Sequence, residues 1–182
     1  MTYAASNRPP GIEEDKEQKL INLYGEYYSK VARYAYVRIG DKEGSEDIAS
    51  EVFAKALDSL KNYQERGLPM QAWLFRIAHN LVVDHLRKVS QRTMVPIDTV
   101  TVKDETDPVA KAETRIEMER VNKAMQDLTE DQREVIRLRF FGGLTSAETG
   151  GVLNKSDGAV REMQRAALEK LRNLLNENQA GG

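Results

Sequence analysis

Apolar residues recur at three- and four-residue steps through most of the chain, the spacing that gathers side chains on one face of an α-helix. Leu20, Leu23, Tyr24, Tyr27, Tyr28, Val31, Tyr34 and Ala35 form the first such stripe. Gly40 and Gly44 interrupt it. Ser45 is then placed to cap a second helix, with Glu46 and Asp47 favourable beside its N-terminal dipole. Ile48, Val52, Ala56 and Leu60, with Phe53 beside them, are that helix's buried stripe. Gly67 and Pro69 bound a short loop, and a third helix is predicted from about Met70 to Lys88. On it Leu74, Ile77, Ala78, Leu81 and His85 share one face, while Trp73, Arg76, Asn80, Asp84 and Arg87 share another.

The pattern then lapses. Residues 90–107 carry Pro96, the alternating run Ile97 to Val102 and several acids. No partner strand is evident, and so long a stretch between helical blocks reads as a linker. Helical spacing resumes after Pro108. Thr129 with Gln132, and Thr145 with Glu148, match capping boxes. Gly142 and Gly143 end the helix that holds Val135, Ile136 and Leu138. The resulting division is a flexible tail at 1–13, one domain at 14–89, a linker at 90–107, a second domain at 108–177 and a short tail at 178–182. The expected fold is all-α: two small helical domains joined by an extended linker.

The sharpest local signal lies in 146–165. A helix-turn-helix needs a small residue where its helices cross, a turn residue that tolerates positive φ, and an apolar anchor in the second helix. Gly150, Asn154 and Val160 stand at those places. Ser156 or Asp157 can cap the second helix, whose outer face then shows Asp157, Arg161 and Arg165. A helix presented this way can enter the major groove and reach base edges with its first residues.

Composition narrows the class. The 182 residues are 40% hydrophobic and 31% charged, with no cysteine and a formal net charge of −2. Disulfides, thiolate zinc sites and cysteine nucleophiles are excluded. No apolar run is long enough for a membrane span and no secretory signal opens the chain, which fits a cytoplasmic protein. The overall charge is not that of a general nucleic-acid binder, but it is unevenly placed. Residues 155–172 carry Lys155, Arg161, Arg165, Lys170 and Arg172 against Asp157, Glu162 and Glu169, whereas 45–58 carry Glu46, Asp47, Glu51 and Asp58 against Lys55. Such a chain can present a basic face to DNA and an acidic face to a basic protein. The outer row of the third helix mixes an aromatic ring, an amide and cations, groups suited to stacking on single-stranded bases, reading their edges and holding phosphates. The same row also suits Trp73 as a core residue with solvated charges around it. No phosphate loop is present, His79 and His85 do not share a helix face, and no catalytic constellation, metal site or cofactor site is expected.

Three segments together resemble the sigma-70 family, in particular its small extracytoplasmic-function group. They are Ser45 to Leu57; Trp73-Leu74-Phe75-Arg76-Ile77-Ala78 with Asn80 and Asp84 to Arg87; and Leu128, Gln132 to Ile136 and Leu138 to Phe140, followed by the helix-turn-helix. The resemblance implies a sigma factor, not an enzyme. It implies that Asp47, Ser50, Glu51, Val52 and Lys55 face the clamp helices of the largest subunit of core RNA polymerase. It implies that Tyr63, Arg66, Trp73, Arg76, Asn80, Asp84, Arg87 and Lys88 read and open the minus-10 element, with one base flipped into a pocket bordered by the loop from Asn62 to Pro69. Lys155, Ser156, Asp157, Ala159, Arg161, Glu162 and Arg165 would read the minus-35 element as duplex. Promoter DNA, both duplex and melted, and an anti-sigma factor are the further partners it implies; no membrane partner is expected. The sequence departs from the family pattern at Ser50, where glutamine is common, at Thr149-Gly150-Gly151, which replaces an alanine-containing run, and at Ala166, where an arginine is usual. The competing reading is a stand-alone helix-turn-helix regulator that binds duplex DNA as a dimer and needs no polymerase.

Overall fold

A computed structural model describes residues 10–65, 67–93 and 120–180. Helix α1 spans Pro10–Ile39, α2 spans Lys42–Ser59 and runs on as a 3-10 turn at Leu60–Asn62, and α3 spans Met70–Thr93. Residues 120–126 are helical and form α4. Helix α5 covers Glu130–Ile136 and continues as a π-helical turn, Arg137–Phe141. Helices α6, Ser146–Leu153, and α7, Asp157–Ala180, complete the order. There is no strand among the described residues.

The first three helices pack on one another because each offers an apolar stripe with small residues where backbones approach. Val31, Tyr34, Ala35, Ala49, Val52, Ala56, Leu74, Phe75, Ala78 and Val82 are wholly buried. The expected stripe of α1 holds for Leu20, Leu23, Val31, Tyr34 and Ala35. Tyr27 and Tyr28 are only half-buried, and Tyr24 is 51% exposed. Helix α2 begins four residues earlier than the glycine pattern suggests. Asp41, not Ser45, is the cap: its carboxylate accepts from the Gly44 N–H at 2.7 Å, so Gly44 lies inside the first turn. Ser45 is buried instead and donates to the Lys42 carbonyl. Helix α3 runs to Thr93, into the stretch expected to be linker. The strand-like run at 97–102 and the start of the second domain at 108 lie outside the described residues.

The second domain is built from two capping boxes and a tight turn. Thr129 with Gln132 caps α5 and Thr145 with Glu148 caps α6, each by reciprocal side-chain and backbone bonds. Asn154 takes the left-handed conformation at φ 56° and ends α6. Ser156 Oγ accepts from the Ala159 N–H at 3.1 Å and so caps α7. Gly150 is required by contact: a Cβ there would fall 2.4 Å from the Lys155 carbonyl oxygen. Among the described residues the domain's own core centres on Leu128, Ile136 and Ala167. Leu138, Leu144 and Val152 belong instead to the core of the first domain. The two domains therefore share one apolar interior, closed by α6 packing on α3 and the π-helical turn packing on α1.

Gly150→Ala is expected to destabilise the chain by about 1–3 kcal/mol, because the opposing atom is backbone and cannot swing away. Gly158→Ala, where an added Cβ meets nothing within 4 Å, should be neutral or gain up to about 1 kcal/mol. Thermal melts of the two variants beside the parent decide it; a Gly150→Ala melt that overlays the parent's removes the crossing argument.

Candidate polymerase and nucleic-acid interfaces

The outer side of α2 carries Asp47, Ser50, Glu51 and Lys55, all exposed. Glu51 and Lys55 pair at 3.5 Å, one helical turn apart. Ser50 Oγ donates to the Glu46 carbonyl at 3.0 Å and lies 3.2 Å from the Tyr28 hydroxyl. Val52 does not belong to this face. It is wholly buried in the core, as its place in the apolar stripe requires. Sequence reasoning missed the apolar border: Ile21, Tyr24 and Leu57 stand 64%, 51% and 57% exposed. Tyr24 leans on Tyr28 and Phe53, with ring centroids 5.1 and 4.9 Å away. Aromatic side chains beside charge are the usual makings of a protein contact. No signal in the sequence marked it: Tyr24 has the spacing of the α1 stripe, and helical spacing cannot say how much of a face a neighbour covers.

The outer row of α3 is exposed at Arg76, Asn80, Asp84, Arg87 and Lys88, with Trp73 half-buried at its start. Trp73 is neither core nor free. Its ring rests on that of Tyr63, with centroids 4.7 Å apart. Tyr63 itself is buried, and its hydroxyl donates to the Leu68 carbonyl at 3.0 Å. Burial, with Glu65 nearby, pushes its phenol up to about 12. Tyr63 thus props up Trp73 and closes the loop; it offers no face to an incoming base. Lys16 of α1 donates to the Tyr63 carbonyl at 2.7 Å and ties the loop from its other side. Arg66 lies outside the described residues. Between α2 and α3 runs a groove of about 420 Å³ whose lining includes Lys55, Asp58, Ser59, Trp73, Asn80 and Asp84. A ring, an amide and a cation converge there. Arg87 pairs with Asp84 at 3.3 Å, and Arg76 donates to the Gly151 carbonyl of α6.

At the start of α7, Ala159, Arg161, Glu162 and Arg165 are exposed. Arg161 pairs with Asp157 at 2.6 Å, and Arg165 with Glu162 at 2.7 Å and Glu169 at 3.1 Å. The Arg165 hydrogen bond and charge hold the Glu162 carboxyl below its usual range. These surface pairs are weak in water, so a phosphate can replace the carboxylate. Lys155 reaches Asp131 at 2.8 Å. Ser156 Oγ accepts the cap bond from the Ala159 N–H, which leaves its O–H free to donate outward. Among the described residues no group of His, Asp and Glu can hold a metal ion, and no helix is long and apolar enough to cross a membrane.

Known proteins match this arrangement. The sigma-70 region 2 family model matches residues 23–93, and the sigma-70 region 4 model matches residues 124–173. The ECF RNA polymerase sigma factor BldN of Streptomyces coelicolor is 35% identical over 160 residues, which cover 86% of this chain and 60% of that protein's length. The ECF RNA polymerase sigma factor ShbA of Streptomyces griseus is 33% identical over 175 residues, 90% of this chain and 91% of that one. The chain belongs to the sigma-70 family, in its ECF group. Its fold is also that of the sigma factor RpoE solved in complex with the anti-sigma factor NepR from Bartonella quintana, with a TM-score of 0.63 at 20% identity over 90% of this chain and 98% of that one.

In this sigma factor the two regions meet at a buried carboxylate. The Glu134 side chain is 4% exposed. Arg38 of α1 places Nη1 at 2.9 Å from its Oε2. That atom is not aligned for a hydrogen bond, so the contact is coulombic. Arg137 Nη1 stands at 3.4 Å, His79 Nδ1 of α3 at 3.3 Å, and the Tyr34 hydroxyl donates a short hydrogen bond. Glu130 lies further out, against Arg38 at 3.3 Å, Arg133 at 3.0 Å and Arg137 at 3.4 Å. Burial pushes the Glu134 carboxyl up, but the His79 hydrogen bond and the Arg38 and Arg137 charges outweigh it and hold it down at about 2. Burial and the adjacent Glu134 charge raise the Tyr34 phenol well above its ordinary value.

A depressed carboxyl stabilises the state that depresses it. The contribution is full above the ordinary value of 4.5 and is lost as pH falls towards 2. At neutral pH, Glu134→Gln should destabilise the chain by about 3–5 kcal/mol, since it strands Arg38 in the interior. Melts of both proteins between pH 7 and 3 should show the gap narrowing as pH drops. A gap that stays constant would mean that Glu134 carries no charge in the native chain.

Proposed function

We propose that this sigma factor binds core RNA polymerase through the outer side of α2, reads and opens the minus-10 element with α3 and the groove beside it, and reads the minus-35 duplex with the start of α7. Asp47 and Glu51 supply charge for the basic side chains of the clamp helices, and Ile21, Tyr24 and Leu57 supply apolar contact. Trp73, supported by Tyr63, stacks an unpaired base; Asn80 reads its edge; Arg87 and Lys88 hold phosphates. The observation that supports this reading is that one short chain carries the half-buried Trp73 ring with exposed Arg76, Asn80, Arg87 and Lys88 on one domain and a helix-turn-helix on the other. A dimeric regulator of duplex DNA has no use for the first. The chain acts by binding, with no reaction of its own, in the cytoplasm where polymerase works. An anti-sigma factor is a further partner, as NepR is for RpoE.

Purified chain should co-elute with core polymerase in size-exclusion chromatography, and Asp47→Lys with Glu51→Lys should abolish co-elution. Trp73→Ala should leave co-elution intact and weaken binding of the holoenzyme to bubble DNA by about tenfold or more, the worth of one stacked base. Binding of duplex DNA by the chain alone, with no affinity for polymerase, would transfer the assignment to the dimeric regulator.

A further inference from the structure

We propose that Lys16 and Lys19 of α1 are positioning residues for base recognition: they latch the loop after α2, so that the start of α1, without touching DNA, sets how strictly the chain tells one minus-10 base from another. The inference rests on the reading of this loop and α3 as the minus-10 site.

Two ties run from one face of α1 to one stretch of the loop. Lys16 Nζ donates to the Tyr63 carbonyl at 2.7 Å, and Lys19 Nζ meets Glu65 Oε2 at 2.9 Å. Residues three apart on a helix share a face. Tyr63 leaves the 3-10 turn in an extended conformation, φ −64° and ψ 128°, so the two lysines and the two loop residues meet in register. Between the ties lies a hollow of about 220 Å³, whose border includes Asp15, Lys16, Lys19, Gln64, Glu65 and Met70. No apolar wedge sets the distance from α1 to the loop there, so the cations set it. Among the described residues Glu65 has no ion pair other than that with Lys19.

The two ties are unequal. Lys19 and Glu65 are largely exposed, and such a pair is worth little in water. The Lys16 bond is partly buried and its donor is charged, which makes it the stronger.

The group that Lys16 holds is the one the site depends on. The Tyr63 ring supports Trp73 at 4.7 Å, and its hydroxyl donates to the Leu68 carbonyl at 3.0 Å, near the far end of the loop. One residue thus joins the tie to α1, the stacking ring and the closure of the loop. Stacking alone accepts any base, because every base has a π-face. Discrimination needs polar groups held in place beside the stacked base, and a loop that wanders offers different bases different partners. Releasing the Tyr63 carbonyl therefore costs selectivity before it costs grip. Both lysines stand ahead of residue 23, where the region 2 match begins, so the latch is supplied from outside the matched segment.

Lys16→Met keeps an unbranched side chain and removes the charge; Lys16→Arg keeps the charge. The chain has no cysteine, so Gln64→Cys, at an exposed position, takes a single nitroxide label. In the free chain Lys16→Met should make that label more mobile in its spin-resonance spectrum, and Lys16→Arg should not. In holoenzyme with core polymerase, binding to bubble DNA is then measured with every base placed in turn at each minus-10 position. Lys16→Met should reduce the parent's preference at one or more positions by about fivefold or more, the worth of one partly exposed hydrogen bond to a charged group. Binding of the preferred sequence should fall less, and its salt dependence should keep its slope. Lys16→Arg should retain the preference, and Lys19→Met should have the smaller effect. An unchanged label, or an unchanged preference in Lys16→Met, overturns the latch. So does weakening that is uniform across bases with a shallower salt slope, which marks a direct phosphate contact. Failure of the minus-10 reading looks different: Trp73→Ala would leave bubble binding unchanged and the parent holoenzyme would show no base preference to lose, and the inference would fall with it.

Discussion

A carboxylate without water must be balanced by whatever surrounds it, and Glu134 is balanced from two domains at once. Arg137 lies on its own segment, but Arg38, Tyr34 and His79 come from α1 and α3. Their bonds can be satisfied together in few placements of α5. The placement found brings the π-helical turn against α1 and α6 against α3.

The apolar groups around this hub add area more than direction. Leu138, Leu144 and Val152 complete a core that mostly belongs to the first domain, while the second keeps a small centre around Leu128, Ile136 and Ala167. A domain of this size is marginal alone. Its two capping boxes and the αL turn at Asn154 compensate locally, by satisfying helix-end donors and setting the angle between α6 and α7. Local chemistry thus shapes the domain and tertiary chemistry places it.

That division also explains what could be read from the residues alone. The capping boxes, the crossing at Gly150, the turn at Asn154 and the outer row of α3 are all consequences of neighbours in sequence. Each was legible. The cap of α2 was misplaced because Asp41 stood before a glycine taken for a break, although Gly44 tolerates the first turn when its N–H is bonded. Val52 was assigned to two faces at once, since the family pattern and the apolar stripe overlap there; only burial separates them. Tyr63 was expected to meet DNA, but whether an aromatic ring faces solvent or supports another ring depends on the loop's fold. The Glu134 hub was invisible for a stronger reason. Its partners on α1 and α3 lie 55 to 100 residues away in sequence, and no local pattern marks a charge that will be buried against another domain.

The arginines of α7 show how such a chain can bind DNA with a net charge of −2. Arg161 and Arg165 are already neutralised by acids on their own helix. A phosphate must displace those carboxylates, which then face the anionic backbone. The displaced acids work against the phosphates and blunt the counterion-release gain that makes basic proteins bind any duplex. The helix is therefore a poor general DNA binder by itself. Discrimination at base edges still operates once something else holds the helix near its site. On the proposed reading, polymerase bound at α2 and a melted strand held at α3 supply that proximity, because joined sites turn the last contact into an intramolecular one. On that reading weakness at α7 acts as a filter: it would prevent the free chain from settling on arbitrary duplex and leave minus-35 reading to the assembled enzyme.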